Sequence, residues 1–177
     1  MKVIIVNGMP RSGKSTFVQF CLDELGAWGM EVSTVDFVKE LAKECGWDGT
    51  KTPENRRFLS DLKDLLTNWG DVPYKKVLEE KRVWEFGFEQ FDVSTKDCFF
   101  FVHCREPQEI QKFVDRIGAE TLLIRREEVE SELQSNHADA EVFNFTYDTE
   151  IWNDGSLKDL KDKAKKFLKE RGWKRKW

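Results

Sequence analysis

Positions 8 to 15 read Gly8-Met9-Pro10-Arg11-Ser12-Gly13-Lys14-Ser15, two glycines with four residues between them, then a lysine and a hydroxyl. A phosphate chain carries several negative charges, so a protein that holds one needs backbone N–H groups converging with no side chain in the way. Gly8 and Gly13 permit that approach. In this arrangement Lys14 reaches the β- and γ-phosphates of ATP, the Ser15 hydroxyl takes a Mg²⁺ position, and Thr16 supports the α-phosphate. Gly8 and the run from Pro10 to Thr16 are therefore the expected nucleotide-contacting span. The rival reading is a plain glycine turn, but the match is complete and lies between an apolar strand and a helix, the context its chemistry requires.

Other charged residues compete for roles around that span. Arg11 lies inside the loop, where a guanidinium either contacts phosphate during transfer or faces solvent. Asp36 follows an apolar strand, at the edge where ligands gather in open α/β sheets. It is read as positioning Mg²⁺ through water or accepting a substrate proton, or else as a helix N-cap. Arg105 directly follows the run from Cys98 to Cys104, so its planar fork emerges at the carboxyl edge of the sheet, suited to bidentate phosphate binding. Arg125 and Arg126 end another apolar segment and enter a polar stretch, where cations closing over a transferring phosphoryl group are expected; surface charge is the alternative. Arg56 and Arg57, with Asp61 and Lys63, look by themselves like a solvated charge run. His103, Cys104 and His137 carry no zinc-like spacing, and no metal-ligand cluster is expected from them.

These residues must be positioned by alternating strands and helices, which imply a parallel sheet with helices on its faces. Lys2 to Val6 reads as a buried strand and Lys14 to Ala27 as a helix with Phe17, Val18, Cys21, Leu22 and Leu25 on one face. Glu31 to Val35 is a second strand, followed by a helix that Gly46 stops. Thr52-Pro53-Glu54 caps an amphipathic helix carrying Phe58, Leu59, Leu62, Leu65, Leu66 and Trp69, closed by Gly70. A further helix covers Pro73 to Phe91. Cys98 to Val102 and Thr121 to Ile124 are strands separated by a helix from Pro107 to Gly118. Arg125 to Ala140 is a polar loop, Tyr147 to Trp152 a last strand, and Asn153-Asp154-Gly155-Ser156 a turn into the final helix.

With 177 residues the chain suits one domain. No run approaches the roughly 18 apolar residues of a membrane span, and the start is too short in apolar residues for a signal peptide, so a cytoplasmic protein beginning at Met1 is expected. Its four cysteines fit reduced thiols. A net charge of −4 argues against a broad nucleic-acid surface. The basic stretch from Lys158 onward has Leu157, Leu160, Ala164, Phe167 and Leu168 at helical spacing, which favours a docked helix over a nucleic-acid arm. Oligomeric state is not legible.

On these residues the sequence resembles the nucleoside monophosphate kinase-like group of P-loop proteins, particularly phage-type deoxynucleoside monophosphate kinases and, more distantly, phosphomevalonate kinases. The matching parts are Gly8 to Ser15, Cys104-Arg105-Glu106-Pro107, Leu123-Ile124-Arg125-Arg126 and Asn153-Asp154-Gly155-Ser156-Leu157. The resemblance implies a three-layer fold around a five-stranded parallel sheet, a helical acceptor-binding insertion at 51–91 and a short lid at 125–140. It also implies ATP and Mg²⁺ as reactants' partners and a small phosphorylated acceptor met by Arg105, with Arg56 or Arg57 assisting. One departure stands out: relatives often carry Asp before that arginine, where this chain has Cys104. A nucleotide-binding regulator with little turnover is the alternative, and a GTPase switch fares poorly for want of an Asn-Lys-x-Asp sequence.

Overall fold

Continuous apolar runs make the centre of the sheet, because a parallel strand covered by helices on both faces must be apolar along its whole length. In the computed structural model, which describes residues 1–131 and 141–174, β1 (Lys2–Asn7) is buried from Val3 onward. Of β3 (Phe99–His103), only His103 is not buried. With β2 (Gly29–Ser33), β4 (Glu120–Arg125) and β5 (Thr149–Trp152) they form a five-stranded parallel sheet in the order β2-β3-β1-β4-β5. Three consecutive phenylalanines, Phe99, Phe100 and Phe101, are completely buried, each contributing about 1.5–3 kcal/mol relative to exposure.

Among the described residues the α-helices are α1 (Lys14–Leu25), α2 (Asp36–Glu44), α3 (Pro53–Gly70), α4 (Val72–Glu89), α5 (Pro107–Ile117), the single turn α6 (Glu127–Glu130) and α7 (Leu157–Glu170). Helices α1 and α7 pack together: Phe17 meets Phe167 edge to face at 5.6 Å, and Trp173 closes on Phe99 at 6.4 Å. The amphipathic spacing of α7 is realised, with Leu160, Ala164, Phe167 and Leu168 buried.

The chain divides into two compact units, one of residues 1–31 with the segment from Ser94 onward, the other Val32–Val93. The second unit takes in α2 as well as α3 and α4, with which α2 packs. Thr52 caps α3 by accepting from Asn55 N, and Pro53 stands in its first turn. Its end differs from expectation: Gly70 is still helical, and Asp71 takes the left-handed conformation that terminates it. The apolar stripe is also wider than the neighbouring helices cover, for Phe58, Leu65 and Trp69 are exposed while Leu59, Leu62 and Leu66 are partly covered. Lys63, expected in solvent, is buried. Two shifted boundaries bear on the site: β2 ends at Ser33, before Asp36, and β5 begins at Thr149, leaving Tyr147 free of the ladder for a different task.

Candidate phosphate-binding site

Strand register brings the site residues to one edge. Val6 pairs with His103, so Gly8 and Arg105 each leave the sheet two residues beyond a matched pair. Arg125 pairs with Trp152, so Arg126 and Asn153 each leave it one residue beyond another. All four emerge at the carboxyl ends of parallel strands, beside β1, where the strand order reverses.

From Gly8 the loop turns into α1 through unusual backbone. Gly8 has φ +147°, Arg11 +65° and Gly13 +95°, and alternation of right- and left-handed residues turns successive N–H groups toward a common anion. Gly13 must be glycine for a second reason, since a Cβ there would lie 2.3 Å from Asn153 Nδ2. That amide donates to Ser12 O at 2.9 Å and pins the loop against the end of β5. Among the described residues no side chain caps α1 and no acid occupies its first turn, so its N-terminal N–H groups and positive dipole end face outward. Lys14 Nζ crosses the loop and donates to Gly8 O at 2.6 Å and Met9 O at 2.7 Å, which holds the ammonium over it.

A cleft of about 310 Å³ opens here, lined by Arg11, Gly13, Lys14, Ser15, Thr16, Arg126, Asn153, Leu157 and Leu160. Its lining combines three cations and a helix N-terminus with two leucines and an amide, which suits a polyanionic molecule that also carries an apolar part. The cleft brings Arg11, Lys14, Ser15, Thr16 and Arg126 together. Ser15 is exposed in the first turn of α1; a hydroxyl oxygen is the hard donor Mg²⁺ takes, with phosphates and water completing its shell, so the residues present fit that ion. Among the described residues no three His, Cys, Asp or Glu side chains could hold a metal by themselves.

Arg125 is placed differently from Arg126. Its guanidinium donates to Glu130 through Nε at 2.9 Å and Nη2 at 2.7 Å, and to Glu150 through Nη1 at 3.2 Å. It lies 4.2 Å from the Trp152 ring centroid and 5.2 Å from that of Phe143. The Glu130 hydrogen bonds raise its pKa further above the usual arginine range. This side chain ties α6 to β5. The stretch expected to be loop from Arg125 starts instead as a helical turn, with Val129 buried and Glu127 N donating to Asp154 Oδ1 at 2.8 Å. The remainder of the expected lid, 132–140 with His137, lies outside the described residues.

Arg105 is exposed, and its main-chain carbonyl accepts from Asn7 Nδ2 at 3.1 Å. Before it Cys104 is buried, its thiol 3.5 Å from Glu109 Oε2. Asp36, Arg56 and Arg57 belong to the second unit. Asp36 is the first residue of α2 rather than its N-cap, which is Val35. Its carboxylate reaches back to Ser33 N at 2.7 Å and pairs with Lys39 at 3.3 Å. Arg57 pairs with Asp61 at 3.7 Å on an exposed helix face.

No family model matches the sequence, and no curated protein sequence does. Solved structures do match: a sugar kinase from Janibacter sp. HTCC2649, without ligand, has a TM-score of 0.51 at 16% identity, over 96% of this chain and 95% of that one. The fold is P-loop kinase-like. A second chain, from Chloroflexus aurantiacus J-10-fl and provisionally assigned as a kinase, has a TM-score of 0.46 at 11% identity, over 93% and 97% of the two chains. At such identities the likeness is one of fold, and chemistry has to be argued from the site.

Three residues of the site escape a reading of the sequence. Asn7, completely buried, accepts from Gly8 N through Oδ1 at 2.8 Å and donates through Nδ2 to Arg105 O and to the Tyr147 hydroxyl. Asn153 is legible as part of a turn and of a motif shared with the resembled group, but not as a contact of the phosphate loop. Tyr147 looked like a strand residue. The one available signal was Asn7 itself, a polar residue closing an apolar strand immediately before the first loop glycine.

Proposed function

We propose that this chain transfers the γ-phosphoryl group of ATP to a small phosphorylated acceptor, with a (deoxy)nucleoside monophosphate preferred. The observation that carries this reading is the gathering of Lys14, Arg11 and Arg126 around the uncapped N-terminus of α1, in a cleft that Leu157 and Leu160 also line. The anionic end of a nucleotide suits the cations, and its base suits the leucines.

Two phosphate groups repel, so transfer needs cations around both. Lys14 serves the donor side, Arg11 and Arg126 flank the cleft, and Arg105, leaving the sheet edge beside Gly8, receives the acceptor phosphate in a bidentate grip. Ser15 would hold Mg²⁺ on the protein side, and the ion when bound would supply charge neutralisation on the donor phosphates. An acceptor phosphate brings an ionised oxygen, so no proton acceptor is required when its oxygen bonds to the γ-phosphorus and the bond to the departing ADP oxygen breaks. That suits a site built of cations, with Cys104 where a carboxylate would otherwise precede Arg105.

Two substitutions test the assignment. Lys14→Ala should lower turnover at least about 10²–10³-fold while the chain still melts in a cooperative transition. Arg105→Ala should lower kcat/KM for the acceptor by about 10²-fold with ATP affinity within roughly twofold. Equal loss of both affinities would give Arg105 to the donor instead.

A further inference from the structure

Beneath the phosphate loop runs a buried chain of hydrogen bonds whose direction is forced. Val142 O can only accept, so the Tyr147 hydroxyl, 2.8 Å away, must donate to it. The phenol oxygen is then left to accept from Asn7 Nδ2 at 2.7 Å, while the other amide hydrogen goes to Arg105 O and Asn7 Oδ1 faces the Gly8 N–H. Turning the amide over would set oxygen against two oxygens and NH₂ against N–H. Tyr147 and the Arg105 carbonyl therefore select one orientation of Asn7, and that orientation holds Gly8.

From this geometry we propose that Tyr147 is a positioning residue for phosphoryl transfer, acting through Asn7 to hold the first glycine of the phosphate loop and the main chain of Arg105 in one fixed relation. The proposal rests on the reading of the chain as a phosphotransferase. Donor and acceptor must meet within a fraction of an ångström to react well, and such alignment depends on the groups behind the contacting residues. Gly8 opens the donor loop; Arg105 is the acceptor-side cation. Asn7 is the residue that touches the backbone of both, and Tyr147 determines which way Asn7 points. Burial pushes the phenol up to about 12, against the opposing effect of the Asn7 hydrogen bond, so it keeps its proton through neutral pH. Val142 is itself completely buried, which anchors the far end of the chain.

Tyr147→Phe removes only the hydroxyl and keeps the ring that meets Phe145 edge to face at 5.2 Å. Assayed well below the melting midpoints of both proteins, the variant should lose at least about tenfold in acceptor kcat/KM, with ADP affinity within twofold. On an Arg105→Ala background the same change should cost less than twofold, because the guanidinium whose main chain Asn7 positions is already gone. A readout free of turnover is the amide spectrum: Gly8 and Glu106 N–H resonances should shift in Tyr147→Phe. Unmoved amides would overturn the coupling, and moved amides with acceptor kcat/KM within twofold would overturn the positioning role. A wild-type chain that phosphorylates no acceptor would instead contradict the proposed function, and the coupling would then stand or fall on the amide shifts alone.

Discussion

At the end of β4 two adjacent arginines do different work, although nothing in their types separates them. Arg125 is gripped by Glu130 and Glu150 and stacked on Trp152, whereas Arg126 lines the cleft and pairs with the exposed Glu128. Arg125→Ala should therefore cost about 1–2 kcal/mol in lost cation–π contact and ion pairing, lowering the melting temperature by roughly 2–8 °C. Arg126→Ala should leave melting within about 1 °C, since an exposed ion pair contributes little, yet weaken ATP binding, as calorimetry would record. Reversed behaviour would exchange their roles. What was legible at this scale was local: the loop residues are consecutive, so their chemistry shows in one short string. The partners of Asn7 are 98 and 140 positions away, and no pattern in the chain announces contacts that only folding creates.

The strands and most helices were legible because their apolar periodicity is a direct consequence of burial, as in Phe99–His103 and the buried face of α7. Ends were less so. Tyr147 has strand character, but its side chain is used by Asn7; Asp71 ends α3 although Gly70 looked the better terminator. The start of α7 carries a capping box in which the Asp159 carboxylate accepts from Ser156 N and Oγ, at 2.8 and 2.7 Å, while Ser156 Oγ accepts from Asp159 N. The Ser156 hydrogen bonds hold the Asp159 pKa below the usual carboxylate range. Its folded pKa lies below the unfolded one, so the stabilisation is present at neutral pH and lost as pH falls through the folded value. Asp159→Ala should lower the melting temperature at pH 7, and the gap from wild type should close under acid conditions. A gap independent of pH would show that the carboxylate charge is not involved.

For the whole molecule, alternating strands and helices announced a parallel sheet, but not the order β2-β3-β1-β4-β5 or the division into two units, because both are decided by contacts between distant segments. Among the described residues no helix is long and apolar enough to cross a membrane. The fold is shared with a solved structure at 16% identity, and fold alone names no substrate. The proposed function takes the acceptor to be a phosphate met by Arg105. The most direct measurement mixes the protein and ATP·Mg²⁺ with a panel of nucleoside monophosphates, other phosphorylated metabolites and unphosphorylated sugars, following ADP and phosphorylated product together. The account predicts ADP and a nucleoside diphosphate in equal amounts with one or a few monophosphates and little ADP otherwise; phosphorylation of an unphosphorylated sugar, or ADP without any phosphorylated product, would contradict it.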